Sequence, residues 1–234
     1  MRKRSGSQLS LGEWHHIWVR LKDGEQLNIF QVQSILDVGC GSGRYLAYFS
    51  KRSSFLVGID ISKKTFAKEN LRNFNFVVAD AHNLPFKDRC LELVFSTDVL
   101  EHLSKPLQAL KEIYRVSQNK IYLCTPNKLC PVDMSKVASW FGSHKPPPIE
   151  KYLTRQELAN LLKNAGFKDF HITTRSFLPL GWLIVHKKAK IPNLVVKILL
   201  QGEKCLERFP FIRNLAGILV AYSLRESAAY IEGS

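Results

Sequence analysis

The amino-acid sequence predicts an α/β fold, because short apolar segments alternate with amphipathic segments along most of the chain. The 234 residues suggest one large domain or two small ones, and a hydrophobic content of 45% is enough to build a core. This content excludes disorder for the bulk of the chain. We therefore interpret the sequence as one α/β domain.

Seven segments have the length and character of β-strands. The first five are apolar throughout, which is typical of strands buried on both faces of a parallel sheet. Two more follow later in the chain, so the sheet is expected to be mostly parallel and seven-stranded. The early strands are predicted at 34–38, 55–59, 74–79, 91–96 and 120–125, and the late ones at 167–173 and 218–224.

Helix signals stand between the predicted strands. Helices are expected to begin near Gly43, at Ser62 and after Ser104, the last with Pro106 in its first turn. Thr154 and Glu157 form a capping box, and Gly166 is positioned to end the helix that follows them. This helix is the most complete of the patterns.

Three segments interrupt the alternation. Residues 1–33 form an N-terminal cap with Trp14, His15, His16 and Trp18, residues 126–153 are rich in Pro and Lys, and residues 176–213 are apolar and basic. Additions to an α/β sheet usually gather at the carboxyl ends of the strands, where ligands bind. The last two segments are thus expected to be insertions, and 176–213 a lid, around a core at 34–125 that resumes at 154–175 and 214–225.

Charge and cysteine content limit the partners and the compartment. A net charge of +14 favours anionic partners such as nucleic acid, phosphorylated metabolites or acidic lipids, without choosing among them. The five cysteines form no CxxC pair, so a disulfide framework is not expected and a reducing cytoplasm fits best. No apolar stretch reaches the roughly 20 residues that span a bilayer.

A glycine-rich loop carries the strongest chemical signal. The sequence DVGCGSG, residues 37–43, follows a predicted strand directly and opens a predicted helix, as nucleotide-binding loops do. Asp60 ends the second strand, where its carboxylate can accept both hydroxyls of a ribose, and Asp80 ends the third. An acid inside the loop suits a ligand with an ammonium and a sulfonium better than a pyrophosphate.

Five motifs in this order resemble the class I S-adenosylmethionine-dependent methyltransferases, in particular the branch of the ubiquinone and menaquinone methyltransferases. They are LDVGCGSG, VGIDIS, VADAHNLPF, FSTDVLEHL and TPN, and the resemblance covers about 35–127, with a weaker similarity at 152–167. The resemblance implies a Rossmann-like, doubly wound sheet with helical lid insertions, and S-adenosyl-L-methionine as cofactor.

The same resemblance implies a role for individual residues. Gly39, Gly41 and Gly43 would line the methionine side of the cofactor, with Asp37 orienting the loop or a water-bridged ammonium. Asp60 and the adjacent Ile61 would hold the ribose end, and Asp80 and Ala81 the adenine. Ser96 and Thr97 would lie beside the methyl donor.

His102 is the best candidate for a catalytic base if the acceptor is an oxygen of high pKa, because it follows the fourth strand near the expected methyl group. Packing in a helix-opening turn is the alternative. Asp98, Glu101 and His102 also resemble the ExxEH run that some relatives use for a divalent ion, although Asp98 has a shorter arm. We expect no metal here.

The acceptor is the least determined part of the function. A small molecule such as a lipid, quinone or glycan is favoured because the expected lid is apolar, while the charge favours an RNA or tRNA methyltransferase as the alternative. A cofactor-binding module without activity is a third possibility. Residues 193–209 would form a helix that either docks on an anionic membrane or packs on its own domain. The oligomeric state is left open.

Overall fold

The computed structural model describes residues 20–63, 74–131, 151–175, 201–202, 209, 212 and 214–224. These residues form one seven-stranded sheet in the order β3-β2-β1-β4-β5-β7-β6. Only β7 runs antiparallel to its neighbours, β5 and β6. The predicted mostly parallel seven-stranded sheet is therefore confirmed.

The strands agree with the predicted segments to within a few residues. The final strand is the chain's return to the sheet, and it enters between two strands that precede it. The bounds are β1 Ser34–Val38, β2 Phe55–Asp60, β3 Asn75–Val78, β4 Leu91–Thr97, β5 Ser117–Pro126, β6 His171–Arg175 and β7 Ile218–Leu224.

Helices lie on both faces of the sheet, as a doubly wound fold requires. The described part of α1 covers 20–26, and the others are α2 Arg44–Phe49, α3 Pro106–Val116 and α4 Arg155–Ala165. A short 3-10 turn, Leu100–His102, follows β4. The helices α1 and α2 pack on one apolar cluster and α3 and α4 on the other.

The capping box of α4 forms as the sequence predicts. Thr154 Oγ1 accepts a hydrogen bond from the Glu157 N–H at 3.2 Å, and a Glu157 carboxylate oxygen accepts the Thr154 N–H at 2.7 Å. Gly166 ends the helix with a φ of 108°, a conformation that residues with a Cβ rarely adopt. Local sequence alone therefore fixes both ends of this helix.

Aromatic rings fill the core on the α1 and α2 face. The Phe95 ring lies 4.9 Å from that of Tyr45 and 5.2 Å from that of Phe49, measured between centroids. Phe30 and Tyr122 complete this cluster, with their ring centroids 5.0 Å apart. The aromatic core anchors α1 and α2 beside the strand ends that carry the site.

One prediction about burial is wrong. The third strand was expected to be buried on both faces, but β3 pairs only with β2 and lies at the edge of the sheet. Its residues are exposed or half-buried, and the Val78 side chain is 54% exposed. An apolar composition does not distinguish an edge strand from a central one, because the neighbours of a strand are set by tertiary structure.

Several predictions concern residues outside the described part. They are the aromatic and histidine cluster at 14–18, the helix after Ser62, residues 132–150 of the insertion at 126–153, and nearly all of the lid at 176–213. Within the described residues, no helix has the length and apolar character needed to cross a membrane.

Candidate functional site

The site lies where the chain reverses its order in the sheet. β1 pairs with β2 on one side and β4 on the other, so the loops that follow these strands separate and leave a crevice at their carboxyl ends. The glycine loop follows β1, Asp60 ends β2, and Thr97 ends β4. The fold thus brings together three of the motifs found in the sequence.

The glycine loop adopts the left-handed conformation at three positions, with φ values of 74° at Gly39, 50° at Gly41 and 71° at Gly43. Gly39 and Gly41 are required for different reasons. A Cβ on Gly39 would lie 2.2 Å from Val99 Cγ2, so this glycine is needed for packing. A Cβ on Gly41 would meet no atom within 4 Å, so its backbone borders open space that a ligand can fill.

Asp60 fixes the loop as well as facing the crevice. Its Oδ2 accepts the Gly41 N–H at 3.0 Å and its Oδ1 accepts the Ser62 N–H at 2.8 Å. Each carboxylate oxygen can accept a second hydrogen bond, so Asp60 keeps capacity for ligand hydroxyls. The Ile61 side chain beside it is 74% exposed, which provides an apolar surface at the predicted nucleoside end.

Asp37 is a buried carboxyl at the floor of the crevice. Its side chain is 1% exposed, and its Oδ2 has no hydrogen-bond partner among the described residues. Burial, and then the charge of Asp60, raise the pKa of Asp37 to about 8. A cationic group in the crevice would both ionise Asp37 and give its oxygen a partner.

Asp80 and Ala81 lie at the end of β3, and Asp80 has a partner that sequence reasoning missed. One carboxylate oxygen of Asp80 accepts the His82 N–H at 2.9 Å and lies 2.6 Å from His82 Nδ1. The hydrogen bond from the His82 backbone is the main reason that the pKa of Asp80 is lowered. The Ala81 side chain packs in the core, so only its backbone can face a ligand.

Ser96 and Thr97 are both buried at the end of β4, but they differ in what they offer. The Ser96 hydroxyl donates to the Val38 carbonyl at 3.0 Å and so joins β4 to β1. The proton of the Ser96 hydroxyl is therefore engaged in a hydrogen bond within the sheet. Thr97 is one residue nearer the crevice and lies beside the Tyr45 hydroxyl, which makes it the better placed of the two for contact with a ligand.

Arg20 and Asp98 form an ion pair that the sequence did not reveal. Arg20 Nη2 lies 3.1 Å from Asp98 Oδ1 and 3.0 Å from Oδ2, although 78 residues separate them. Asp98 has a φ of 56°, so the chain turns sharply directly after β4. This pair joins α1 to the strand end that carries the predicted methyl-donor site.

Glu101 and His102 sit in the 3-10 turn after Asp98. Glu101 is 2% exposed and accepts a hydrogen bond from Thr125 Oγ1 at 3.1 Å. Burial, and then the charge of Asp98, raise the pKa of Glu101 above its usual range. The His102 side chain is 38% exposed and its Nε2 lies 4.0 Å from Glu101 Oε1, so the imidazole is accessible.

The motif DxxEH does not converge on one point in the described structure. Asp98 is held by Arg20, and Glu101 points to Thr125. Across the described ranges, no three His, Cys, Asp or Glu side chains are grouped closely enough to hold a metal ion.

Asn127, the last residue of the TPN motif, contacts the chain at the end of each insertion. Its buried Nδ2 donates to the Asn214 carbonyl at 2.9 Å and to the Ala216 carbonyl at 2.7 Å. Asn127 also forms a bridge with Leu153, and the Lys151 N–H donates to the Glu101 carbonyl at 2.8 Å. The insertion at 126–153 therefore leaves and rejoins the fold beside the turn that carries His102, and the chain returns from 176–213 at residues that Asn127 holds.

The central part of the chain is similar to known proteins. Residues 36–124 match the family described as "Methyltransferase domain". The chain is 29% identical over 145 residues to a malonyl-[acyl-carrier protein] O-methyltransferase of Marinomonas sp., a match that covers 58% of this chain and 53% of the relative. It is 38% identical over 85 residues to a tRNA (carboxymethyluridine(34)-5-O)-methyltransferase of Arabidopsis thaliana, covering 35% of this chain and 20% of the relative.

A solved structure agrees over a longer range. It is a SAM-dependent methyltransferase from Archaeoglobus fulgidus that is 21% identical, with a TM-score of 0.59 over 90% of this chain and 94% of that one. This similarity shows the fold. The chain spans about half the length of the bacterial relative and a fifth of the plant one.

Proposed function

We propose that this chain is a class I S-adenosylmethionine-dependent methyltransferase that transfers the methyl group to a small-molecule acceptor. The observation that carries the proposal is the crevice at the ends of β1, β2 and β4, where open space borders Gly41 and a buried oxygen of Asp37 has no partner within the described ranges. The branch within the family and the identity of the acceptor are part of the proposal.

The residues of the crevice fit the cofactor by their chemistry. Asp37 offers an acceptor to an ammonium, Asp60 retains lone pairs for ribose hydroxyls, and the exposed Ile61 offers an apolar surface to the base. When bound, the cofactor supplies a methyl group on a sulfonium, which is already activated for displacement by an aligned nucleophile. The protein's main task is then to position the acceptor and to remove its proton.

His102 is our candidate for the group that takes this proton. Its imidazole is accessible, and its Nε2 faces the buried carboxyl of Glu101. A positioned general base typically contributes about 100-fold or more to a rate. We expect His102→Ala to lower methyl transfer by about that factor while affinity for S-adenosylhomocysteine stays within a few-fold of wild type. His171→Ala changes an exposed histidine on β6 and is the matched control.

The preference for a small acceptor rests on the insertions. Lys151 joins one end of the 126–153 insertion to the His102 turn, and Asn127 holds residues 214–216, where the chain returns after 176–213, which suits segments that lie near an acceptor. The apolar and basic composition of 176–213 favours a lipid, quinone or glycan, and peripheral contact with an anionic membrane is part of this proposal. Free thiols at Cys40, Cys90, Cys124 and Cys130 support a cytoplasmic location.

An RNA acceptor is the second candidate. The net charge of +14 and the tRNA methyltransferase among the relatives favour it. Incubation with methyl-labelled S-adenosylmethionine, separately with a total lipid extract and with total RNA, distinguishes the two. Label in lipid that is lost in Asp60→Ala supports the proposal, and label in RNA supports the alternative. Label in neither, with cofactor binding intact, would indicate a binding module without activity.

A further inference from the structure

Three buried polar atoms near the crevice have no hydrogen-bond partner among the described residues. They are Asp37 Oδ2, Tyr45 Oη and Arg20 Nε. A buried donor or acceptor left without a partner costs about 1–3 kcal/mol, and such groups are uncommon in folded proteins. Their concentration at one end of the sheet points to a ligand that supplies the missing partners.

Packing places two of these atoms at the same pair of strand ends. Tyr45 is the second residue of α2, shortly after the glycine loop, and its ring packs on Phe95. Phe95 is the register partner of Asp37 across β1 and β4. Tyr45 is buried, and its hydroxyl lies beside Thr97 without a hydrogen bond of normal geometry.

Arg20 reaches this region from α1 and is held there by contacts that do not use its Nε. Its Nη2 pairs with Asp98, and its backbone carbonyl accepts the Tyr122 hydroxyl at 2.6 Å. Burial raises the pKa of Tyr45, and the nearby charge of Arg20 opposes that increase. A fixed guanidinium N–H beside a tyrosine hydroxyl, both without a partner in the described part of the chain, is a donor pair suited to an anion.

The hydrogen-bonding groups of Asp37, Arg20 and Tyr45 are together complementary to an amino acid. Asp37 offers an acceptor to a cation, while Arg20 and Tyr45 offer donors to an anion. We propose that Arg20 and Tyr45 bind the carboxylate of the cofactor's methionine end, opposite the ammonium that Asp37 receives. This inference rests on the proposed function, and it assigns a role to a residue outside the matched range of 36–124.

Calorimetric titration with two ligands tests the assignment. S-adenosylhomocysteine carries the amino-acid end, whereas 5′-methylthioadenosine carries the same nucleoside without it. Arg20→Met should weaken binding of S-adenosylhomocysteine by about 10- to 100-fold, the range for a hydrogen bond to a charged group, and leave methylthioadenosine within about two-fold. The quantity to compare is the fold-loss of affinity for S-adenosylhomocysteine divided by the fold-loss for methylthioadenosine.

Tyr45→Phe keeps the test independent of folding. It removes only a hydroxyl that has no partner in the described structure, so the free energy of unfolding should not fall. It should weaken S-adenosylhomocysteine by about 3- to 10-fold and methylthioadenosine hardly at all. Tyr48→Phe, on the same helix but bonded to the exposed Glu25, is the matched control and should bind both ligands like wild type.

The outcomes separate this inference from the proposed function. If wild type binds neither ligand, the proposed function is wrong. Should wild type bind both, while Tyr45→Phe and a folded Arg20→Met lose the same factor for each ligand or lose nothing, the carboxylate assignment is overturned and the cofactor site stands. A loss of turnover with both affinities unchanged would also overturn the assignment. It would indicate that Arg20 and Tyr45 bind an anionic group of the methyl acceptor.

Discussion

Replacing Asp37 by Asn separates the stability of the fold from its capacity to bind a cation. The buried carboxyl has a pKa of about 8 when folded and 3.8 when unfolded. Between these values the folded protein holds a proton that the unfolded chain has released. Stability from this group is therefore fully present below pH 3.8 and is lost as the pH rises through 8.

The size of the effect follows from the same two values. From pH 7 to pH 9 the contribution of Asp37 to the free energy of unfolding should fall by about 1.4 kcal/mol, since one pKa unit corresponds to about 1.36 kcal/mol. Asn has the same shape and no titrating proton, so Asp37→Asn should lack this decrease. The free energy of unfolding of Asp37→Asn, relative to that of wild type, should therefore be about 1.4 kcal/mol higher at pH 9 than at pH 7.

Urea denaturation of both proteins at pH 7, 8 and 9 measures the difference directly, because every other titrating group is common to the two. Asp169→Asn, which changes an exposed aspartate, should follow wild type at each pH. The stabilised Asp37→Asn should at the same time bind S-adenosylhomocysteine about 10-fold more weakly, since its amide presents N–H donors to an ammonium. Parallel stability curves for wild type and Asp37→Asn would refute the reasoning, and unchanged affinity would remove Asp37 from the site.

Three further substitutions test the loop and the roots of the insertions. Asp60→Ala should weaken S-adenosylhomocysteine by roughly 1.5–3 kcal/mol and also destabilise the free protein, because the Gly41 and Ser62 N–H groups lose their acceptor; calorimetry and urea denaturation report the two effects separately. Gly41→Val should cost about 1–2 kcal/mol of stability from its left-handed φ and abolish binding, and a variant that still binds would show that the loop is only a turn. Asn127→Ala should destabilise the protein by about 2 kcal/mol or more, because it leaves two carbonyls unpaired; an unchanged urea midpoint would contradict this.

The sequence by itself determined the elements whose cause is local. Strands β1 and β7 have the predicted bounds, and the two ends of α4 need only the capping box of Thr154 and Glu157 and the glycine at 166. The glycines of the loop were also recognisable, because a left-handed turn between a strand and a helix leaves few other choices of residue. The formation of these elements depends on residues within a few positions of one another along the chain.

Only the tertiary structure decided which distant groups meet. Arg20 pairs with Asp98, Asn127 holds residues 214–216, and Asp60 supports the backbone of Gly41, all through contacts between separate elements. Neither the exposure of β3 nor the entry of β7 between β5 and β6 has a signature in composition. Periodicity reports which face of an element is apolar, whereas the partners of distant groups depend on how the elements pack. Here that packing leaves Asp37 Oδ2, Tyr45 Oη and Arg20 Nε buried without a partner among the described residues.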